Sequence, residues 1–301
     1  MIPMKKKTVL IQLIVFSLII GLSGCTEVPS DDQTDNIPEG LYVDDDGKQE
    51  YSIIQDAIDA APDNYTVYVF SGTYHETLLV NKTITLMGEN PETTIIDGNK
   101  SGNVLTVSSA EKCNISGFTI QNSKSNSAGI NLETSNNNVS NLIIKNNYNG
   151  LYAAGVKYNS LHNNSFISNS NYGIYFSGSN YNTIKYNAFT ENGYGLRIKG
   201  SRYNIVFENQ FENNSRGMYF CCGASNNVAY HNNFINNSIW NGNDYVGGND
   251  WYDKDINEGN YWDDYQGTDD DDDGIGDTPY NITSDGTKQD LYPLINPLSF
   301  N

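Results

Sequence analysis

Apolar positions along this chain recur with two periods at once. Over short stretches they alternate, one residue in and the next out, as a half-buried strand requires. Over longer stretches whole segments return about every 22 residues. Gly129, Gly150, Gly173, Gly195 and Gly217 are followed by Ile-Asn-Leu, Leu-Tyr-Ala, Ile-Tyr-Phe, Leu-Arg-Ile and Met-Tyr-Phe. A second register runs Asn182, Ile184, Asn187, Phe189 and returns as Asn159, Leu161, Asn164, Phe166, then as Asn204, Val206, Asn209, Phe211 and as Asn227, Ala229, Asn232, Phe234. Weaker copies begin at Asn137 and Cys113, and a third asparagine column occupies Asn147, Asn169, Asn192, Asn214 and Asn237.

A unit of this length holds two or three short strands and is too small to bury a face alone, so it must stack on its neighbours. The pattern predicts an all-β fold, a parallel β-helix of about eight or nine rungs at about 4.8 Å spacing, right-handed because parallel strand connections prefer that hand. Ile130, Leu151, Ile174, Leu196 and Met218 should point inward, with Leu132, Ala153, Phe176, Ile198 and Phe220 beside them. The asparagines are expected to hydrogen-bond along the stack and to adopt the left-handed backbone that each corner needs. An open first rung would expose unpaired backbone. Ser52-Ile53-Ile54-Gln55 reads as a capping box opening a helix, with Ile54, Ala57, Ile58 and Ala61 on one face to cover it. The β-helix is placed at residues 41–240 and an irregular C-terminal cap at 241–301.

The first residues speak to compartment. Lys5, Lys6 and Lys7 precede an apolar run, Val9 to Leu22, that ends in Leu22-Ser23-Gly24-Cys25. This ending resembles a lipobox, which implies a lipoprotein signal peptide over residues 1–24 and Cys25 as the lipidated first mature residue; an ordinary signal peptide or a single membrane anchor is the alternative. Residues 25–40 are polar, acidic and proline-containing, and read as a disordered tether. The expected location is extracytoplasmic, on the membrane surface through a lipid anchor.

Seventeen basic residues against 36 acidic ones give a net charge of −19. Nucleic acid is thereby disfavoured as a partner, since phosphate binding needs a basic face. Beyond Cys25, Cys113, Cys221 and Cys222 make an odd set with two sequence neighbours, so no disulfide framework is implied.

Tyr42-Val43-Asp44-Asp45-Asp46-Gly47, Gln55-Asp56-Ala57-Ile58, Gly72-Thr73-Tyr74 and the asparagine-rich rungs together resemble the NosD-type periplasmic copper-binding family. That family sits within the pectin-lyase-like β-helices, among carbohydrate-binding and sugar-hydrolase repeats. The tail from Gly259-Asn260-Tyr261-Trp262-Asp263-Asp264-Tyr265 to Asp290-Leu291-Tyr292-Pro293-Leu294 resembles the C-terminal segment of archaeal cell-surface members. The resemblance implies the fold strongly and the activity weakly, because one such fold hosts lyases, hydrolases, epimerases and binding proteins.

Within the cap, Asp269, Asp271 and Asp273 alternate before Gly274, followed by Ile275 and Asp277. Alternating carboxylates, a glycine for the sharp turn, a backbone carbonyl and a further acid are the oxygen ligands of a calcium loop. The usual final bidentate glutamate is replaced by Tyr280, with Asp264 or Asp290 as candidates to complete the shell. A structural Ca2+ is expected here.

On the strand after the repeated glycine, Asn131, Tyr152, Tyr175, Arg197 and Tyr219 should point outward, next to Glu133, Ala154, Ser177, Lys199 and Cys221. Tyr152, Tyr175, Arg197 and Tyr219 form a stripe suited to stacking on sugar rings. The alternative is that tyrosine simply suits any exposed sheet face. Glycosidases need two facing carboxylates, and this stripe offers Glu133 alone. Arg197-Ile198-Lys199 matches one polygalacturonase motif without its companions. For copper the soft donors are Cys221 and Cys222 with His231, while His75 and His162 fall elsewhere in the repeat. The expectation is a surface binding or structural module for polysaccharide or cell-envelope glycan rather than an enzyme. A uronate lyase or epimerase and a copper-binding protein are the alternatives.

Overall fold

A computed structural model describes residues 40–300 apart from Val246. The expected signal peptide, Cys25 and the tether up to residue 39 lie outside the described residues. Each turn of chain lays one short strand on each of three parallel sheets, of nine, eight and nine strands. The first sheet runs from Gly40–Val43 to Val228–Tyr230, the second from Leu78–Val80 to Trp240–Asp244, the third from Gly72–Tyr74 to Tyr261–Trp262. Through the central rungs successive turns are 22 or 23 residues apart, as from Asn182 to Asn204 and from Asn159 to Asn182. The result is the parallel β-solenoid that the repeat predicts, about nine turns long.

Register follows the hydrophobic pattern. Ile130, Leu151, Ile174, Leu196 and Met218 pair in line along the second sheet. They and the companion column from Leu132 to Phe220 are all fully buried. On the third sheet Phe166, Phe189, Phe211, Phe234 and Trp262 stack face to face inside the cylinder, with centroids 5.0, 4.6, 4.9 and 4.4 Å apart. Such offset stacks add to the area that the rings bury. The repeated glycines are explained by these rings. A Cβ at Gly173 would lie 2.5 Å from the carbonyl oxygen of Gly195 and 2.8 Å from Phe189.

The corners differ from expectation in an instructive way. The stacked asparagines are not the left-handed residues. Positive φ falls one residue earlier, at Tyr158, Tyr181 and Tyr203 before Asn159, Asn182 and Asn204, and at Asn163, Tyr186 and Glu208 before Asn164, Asn187 and Asn209. The left-handed residue swings the chain round the corner and takes the next N–H out of reach of a ladder carbonyl. The asparagine supplies the missing partners. Asn187 Oδ1 accepts from the backbone N–H and the side-chain amide of Asn164, at 3.1 and 3.0 Å. Its Nδ2 donates to the carbonyls of Leu161 and Lys185, both at 2.9 Å. Three such ladders, one per corner, keep buried polar backbone satisfied.

Both ends are closed by groups outside the repeat. The helix Ile54–Ala60 buries Ile54, Ala57 and Ile58, with Ala61 buried just beyond it. The expected capping box does not form, because the N-cap position is Ile53, one residue past Ser52. Glu76 replaces it, accepting from the N–H groups of Ile54 and Gln55 at 2.8 and 3.0 Å. A carboxylate there also suits the helix dipole. At the far end each asparagine ladder meets a substitute partner. Asn249 donates to Asp244, and Asn237 donates to Asn241, which is itself held by Asp263 and Asp264. Asn260 finds Asp290, whose Oδ2 accepts its backbone N–H at 2.7 Å and its Nδ2 at 3.3 Å, as a next asparagine would. Asp290 also accepts from Trp262 Nε1 at 2.9 Å.

Replacing Asn187 by alanine strands the amides of Asn164 and two carbonyls, and should lower stability by about 3 kcal/mol. Asn187→Asp should cost at least as much, since its second oxygen faces carbonyls that need a donor; denaturant unfolding of the variants checks both. Asp290 carries a pH signature. Its complete burial outweighs the hydrogen bonds from Trp262, Asn260 and Tyr292 and raises its pKa to about 7, above the ~3.9 of an unfolded Asp. The folded state thus keeps a proton that the unfolded state loses, so this contribution is greatest at low pH and fades as pH rises through about 7. Thermal unfolding midpoints should fall over that window, and Asp290→Asn should flatten the fall.

Candidate functional site

The outward face of the second sheet carries the expected stripe, and the structure widens it. Tyr152, Tyr175, Arg197 and Tyr219 are in register, one per turn. A second column runs beside them, Tyr172, Tyr194, Arg216 and Trp240, also in register. These residues stand immediately before the repeated glycine or its equivalent. A reading that follows only the strand after the glycine passes over them, though the recurring Tyr-Gly and Arg-Gly pairs were the available signal.

The two columns interlock. Tyr172 lies 4.8 Å from Tyr175 and 5.1 Å from Tyr194, ring centre to ring centre. Trp240 lies 5.8 Å from Tyr194 and 5.6 Å from Tyr219. The Arg197 guanidinium sits over three rings, 5.2 Å from Tyr175, 5.5 Å from Tyr172 and 5.8 Å from Tyr219. Arg216 caps Tyr194 at 4.7 Å. Cation–π contacts of this kind strengthen as water is excluded. Arg197 Nη1 also donates to the Tyr172 hydroxyl, and its Nε donates to Cys221 Sγ at 3.4 Å. Cys221, expected on the outward side, lies there in register with Lys199 but is fully buried beneath this contact. Burial raises the Cys221 pKa, the hydrogen bond from Arg197 opposing it, so the thiol stays neutral. Next to Tyr152 and Tyr175, a shallow depression of about 450 Å³ is lined also by Asn126, Tyr148, Asn149, Asn171 and Tyr172. Glu133 is exposed and accepts from Asn131 at 2.8 Å.

The acidic loop closes on itself. Asp269, Asp271 and Asp273 bring carboxylate oxygens within 4.8 Å of one another. Asp269 accepts from the N–H of Gly274 at 2.9 Å, and Gly274 has φ of 91°, the left-handed turn that such a loop needs. Asp277 accepts from the N–H of Asp270 at 2.7 Å. The charge of Asp273, more than burial, raises the Asp271 pKa. Neither proposed completing acid is spare. Asp290 terminates an asparagine ladder, and Asp264 accepts from the Tyr280 hydroxyl at 3.0 Å. Tyr280 itself stacks on Trp262 at 4.3 Å and ends the aromatic column, so it does not serve the loop.

The softer donors are dispersed. His162 Nε2 bonds Asn138 at 2.9 Å, with burial and then Lys185 holding its pKa down. His231 pairs with Glu258. Cys113 and Cys221 are buried and Cys222 is exposed, all three as free thiols. Among the described residues, the one group of three metal-ligating side chains is Asp269, Asp271 and Asp273. Carboxylate oxygens suit calcium or magnesium, whereas copper favours imidazole and sulfur.

Several solved structures resemble this solenoid. ORF18 of Geobacillus virus E2 is 16% identical over 69% of this chain, with a TM-score of 0.48, and the chain spans 51% of that protein. Pectin methylesterase from carrot is 13% identical, covering 72% of this chain and 81% of its own, with a TM-score of 0.44. Alginate lyase from Paenibacillus sp. str. FPU-7 is 13% identical, covering 71% and 85%, with a TM-score of 0.42. At such identities the likeness extends to the β-helix and no further. No curated protein matches the chain. The family described as periplasmic copper-binding protein (NosD) matches residues 58–267. Among the described residues no three thiols and imidazoles converge to go with that description: Cys221 and Cys222 are neighbours, Cys221 is buried, and His162 and His231 are already bonded. In the match across its rungs, which covers most of the sequence, this chain belongs to the NosD family.

Proposed function

We propose that this protein is an extracytoplasmic binding module that recognises polysaccharide or cell-envelope glycan along the aromatic–arginine face of the second sheet. The observation that carries the reading is the double column of Tyr152, Tyr175, Arg197 and Tyr219 beside Tyr172, Tyr194, Arg216 and Trp240. Flat apolar rings set at rung spacing suit the apolar faces of successive sugar units. The arginines hold the rings in place through cation–π contacts, so little side-chain entropy remains to be lost on binding. The family description as periplasmic supports the outward location. Cys25 is the proposed lipidation site, tethering the solenoid to the membrane surface. No helix among the described residues is long and apolar enough to cross a membrane.

Calcium is the proposed ion of the acidic loop, held by Asp269, Asp271 and Asp273 with Asp277 and the Ile275 carbonyl. Its role there is structural, since the loop joins the cap: Ile275 pairs with Leu294, which in turn bridges to Tyr261 of the third sheet. Without the usual bidentate glutamate, affinity should lie at the weak end, about 10⁻⁴–10⁻³ M. A uronate lyase or epimerase gains no support from the face, where Arg197 is already bonded to Tyr172 and Cys221.

Glycan-array binding by the full chain tests the first point: Tyr175→Ala should weaken the best ligand about tenfold, the loss of one aromatic contact, with no product formed. Unsaturated oligosaccharides released in the same wells would replace binding by lyase chemistry. For the loop, millimolar Ca2+ should raise the thermal midpoint and Asp271→Asn should abolish the rise. A copper-induced rise of equal size would contradict the assignment.

A further inference from the structure

A second groove lies on a different face, over the third sheet and its corner with the first. Its floor is the outward column Ser165, Ala188 and Gln210, paired in register along the stack. The neighbouring corner column supplies Asn141, Asn163 and Tyr186, each with left-handed backbone. Leu298 and Phe300, from the far end of the chain, line the remainder. That segment is anchored at two points: Leu298 N–H donates to Asn233 Oδ1 at 2.9 Å, and Asn233 Nδ2 donates to the Leu298 carbonyl at 2.8 Å. Asn233 is the next residue of the floor column after Gln210. The space enclosed is about 760 Å³, against about 450 Å³ for the depression on the aromatic face.

The lining is chemically selective. Not one charged side chain contributes to it, in a protein whose net charge is −19. It offers amides, the hydroxyls of Ser165 and Tyr186, and two aromatic rings. The amides of Asn164 and Asn187 are committed to the corner ladder, and Gln210 is held by Asn233 at 2.9 Å and Glu212 at 3.3 Å, so Asn141 and Ser165, with the Oδ1 of Asn163 whose Nδ2 meets His162, are the groups placed to meet a ligand. Lys185, 5.4 Å from the Tyr186 ring, and Glu208, whose carboxylate raises the Tyr186 pKa, flank the groove with opposite charges. A polyanion would find no net cation here and would meet the repulsion of the surrounding acids. A chain of neutral hydroxyls finds donors, acceptors and apolar walls. Three rungs of corner residues span about 10 Å, room for about two sugar rings.

We propose that this groove is a binding site for a neutral oligosaccharide, separate from the aromatic–arginine face. It shares with the aromatic–arginine face only the ligand class, and uses other residues. Calorimetric titration of the full chain with cello-, malto-, manno- and chito-oligosaccharides, and with oligogalacturonate, is the test. At least one neutral ligand should bind, weakened tenfold or more by Ala188→Trp, which fills the floor from outside the core, and by Phe300→Ala, but unchanged by Tyr175→Ala. Phe300→Ala decides the matter should Ala188→Trp disturb the circular dichroism spectrum. Absence of neutral binding, preference for oligogalacturonate, or full affinity in both groove variants would overturn the proposal. Binding lost only in Tyr175→Ala keeps the aromatic face and removes the groove; neutral binding lost only in the groove variants supports the groove and leaves the aromatic face to its own glycan-array test.

Discussion

What the rest of this molecule depends on is the satisfaction of backbone amides at its corners. Three times per turn the chain must leave one sheet and join the next, and each time a left-handed residue breaks the ladder of backbone hydrogen bonds. An asparagine one residue later restores it from the side chain, taking two donors from the turn before and giving its own to one carbonyl there and one two residues back on its own turn. An unpaired buried amide costs about 1–3 kcal/mol, and the corners multiply that cost along the stack. Neither serine nor aspartate reproduces the combination of one acceptor and two donors in that volume. The ladder is therefore conserved from turn to turn within the chain itself, and the two ends must provide for it. Asp244, Asn241 and Asp290 do so at the far end with the same acceptor chemistry.

With the interior and corners so constrained, variation is left to the outward columns. Each outward position repeats at one rung, so a single residue type placed there becomes a row. Tyrosine placed on both sides of the repeated glycine becomes a double row, and an arginine within it is clasped by rings above, below and beside it. On the third sheet the same geometry does the opposite. Small residues at Ser165 and Ala188 leave a trough, and the segment at Leu298, anchored on Asn233, gives it a second side. One scaffold thus presents a raised aromatic face and a recessed amide-lined groove.

The family's copper description and this chain's donors point in different directions. A metal site needs several ligands converging at one point, and a solenoid brings residues together chiefly along a column. Cys113 is packed in the core, Cys221 and Cys222 are neighbours with Cys221 covered by Arg197, and His162 and His231 are bonded elsewhere to Asn138 and Glu258. The three aspartates converge because a single loop carries them, outside the repeat, where the chain is free to curl.

Periodicity in the sequence determined the solenoid, its strand register, its inward columns and the position of Tyr152, Tyr175, Arg197 and Tyr219 on one face. These follow from a pattern that is local and repeats, so each copy reinforces the reading of the last. Alternation by itself could not reveal that Cys221 is buried, since that depends on Arg197 lying across it from the turn before. Nor could it show that the left-handed residue precedes the asparagine, because the backbone angle is set by which group can reach the next turn. The helix cap passed from Ser52 to Glu76, and Asp264 and Asp290 from a metal shell to the cap, through contacts about 16–30 residues apart in sequence. The groove needs Leu298 beside Asn233, a pairing 65 residues apart. Such contacts have no period. Only the tertiary structure decides them, because it alone fixes which non-repeating segments fold back onto the stack.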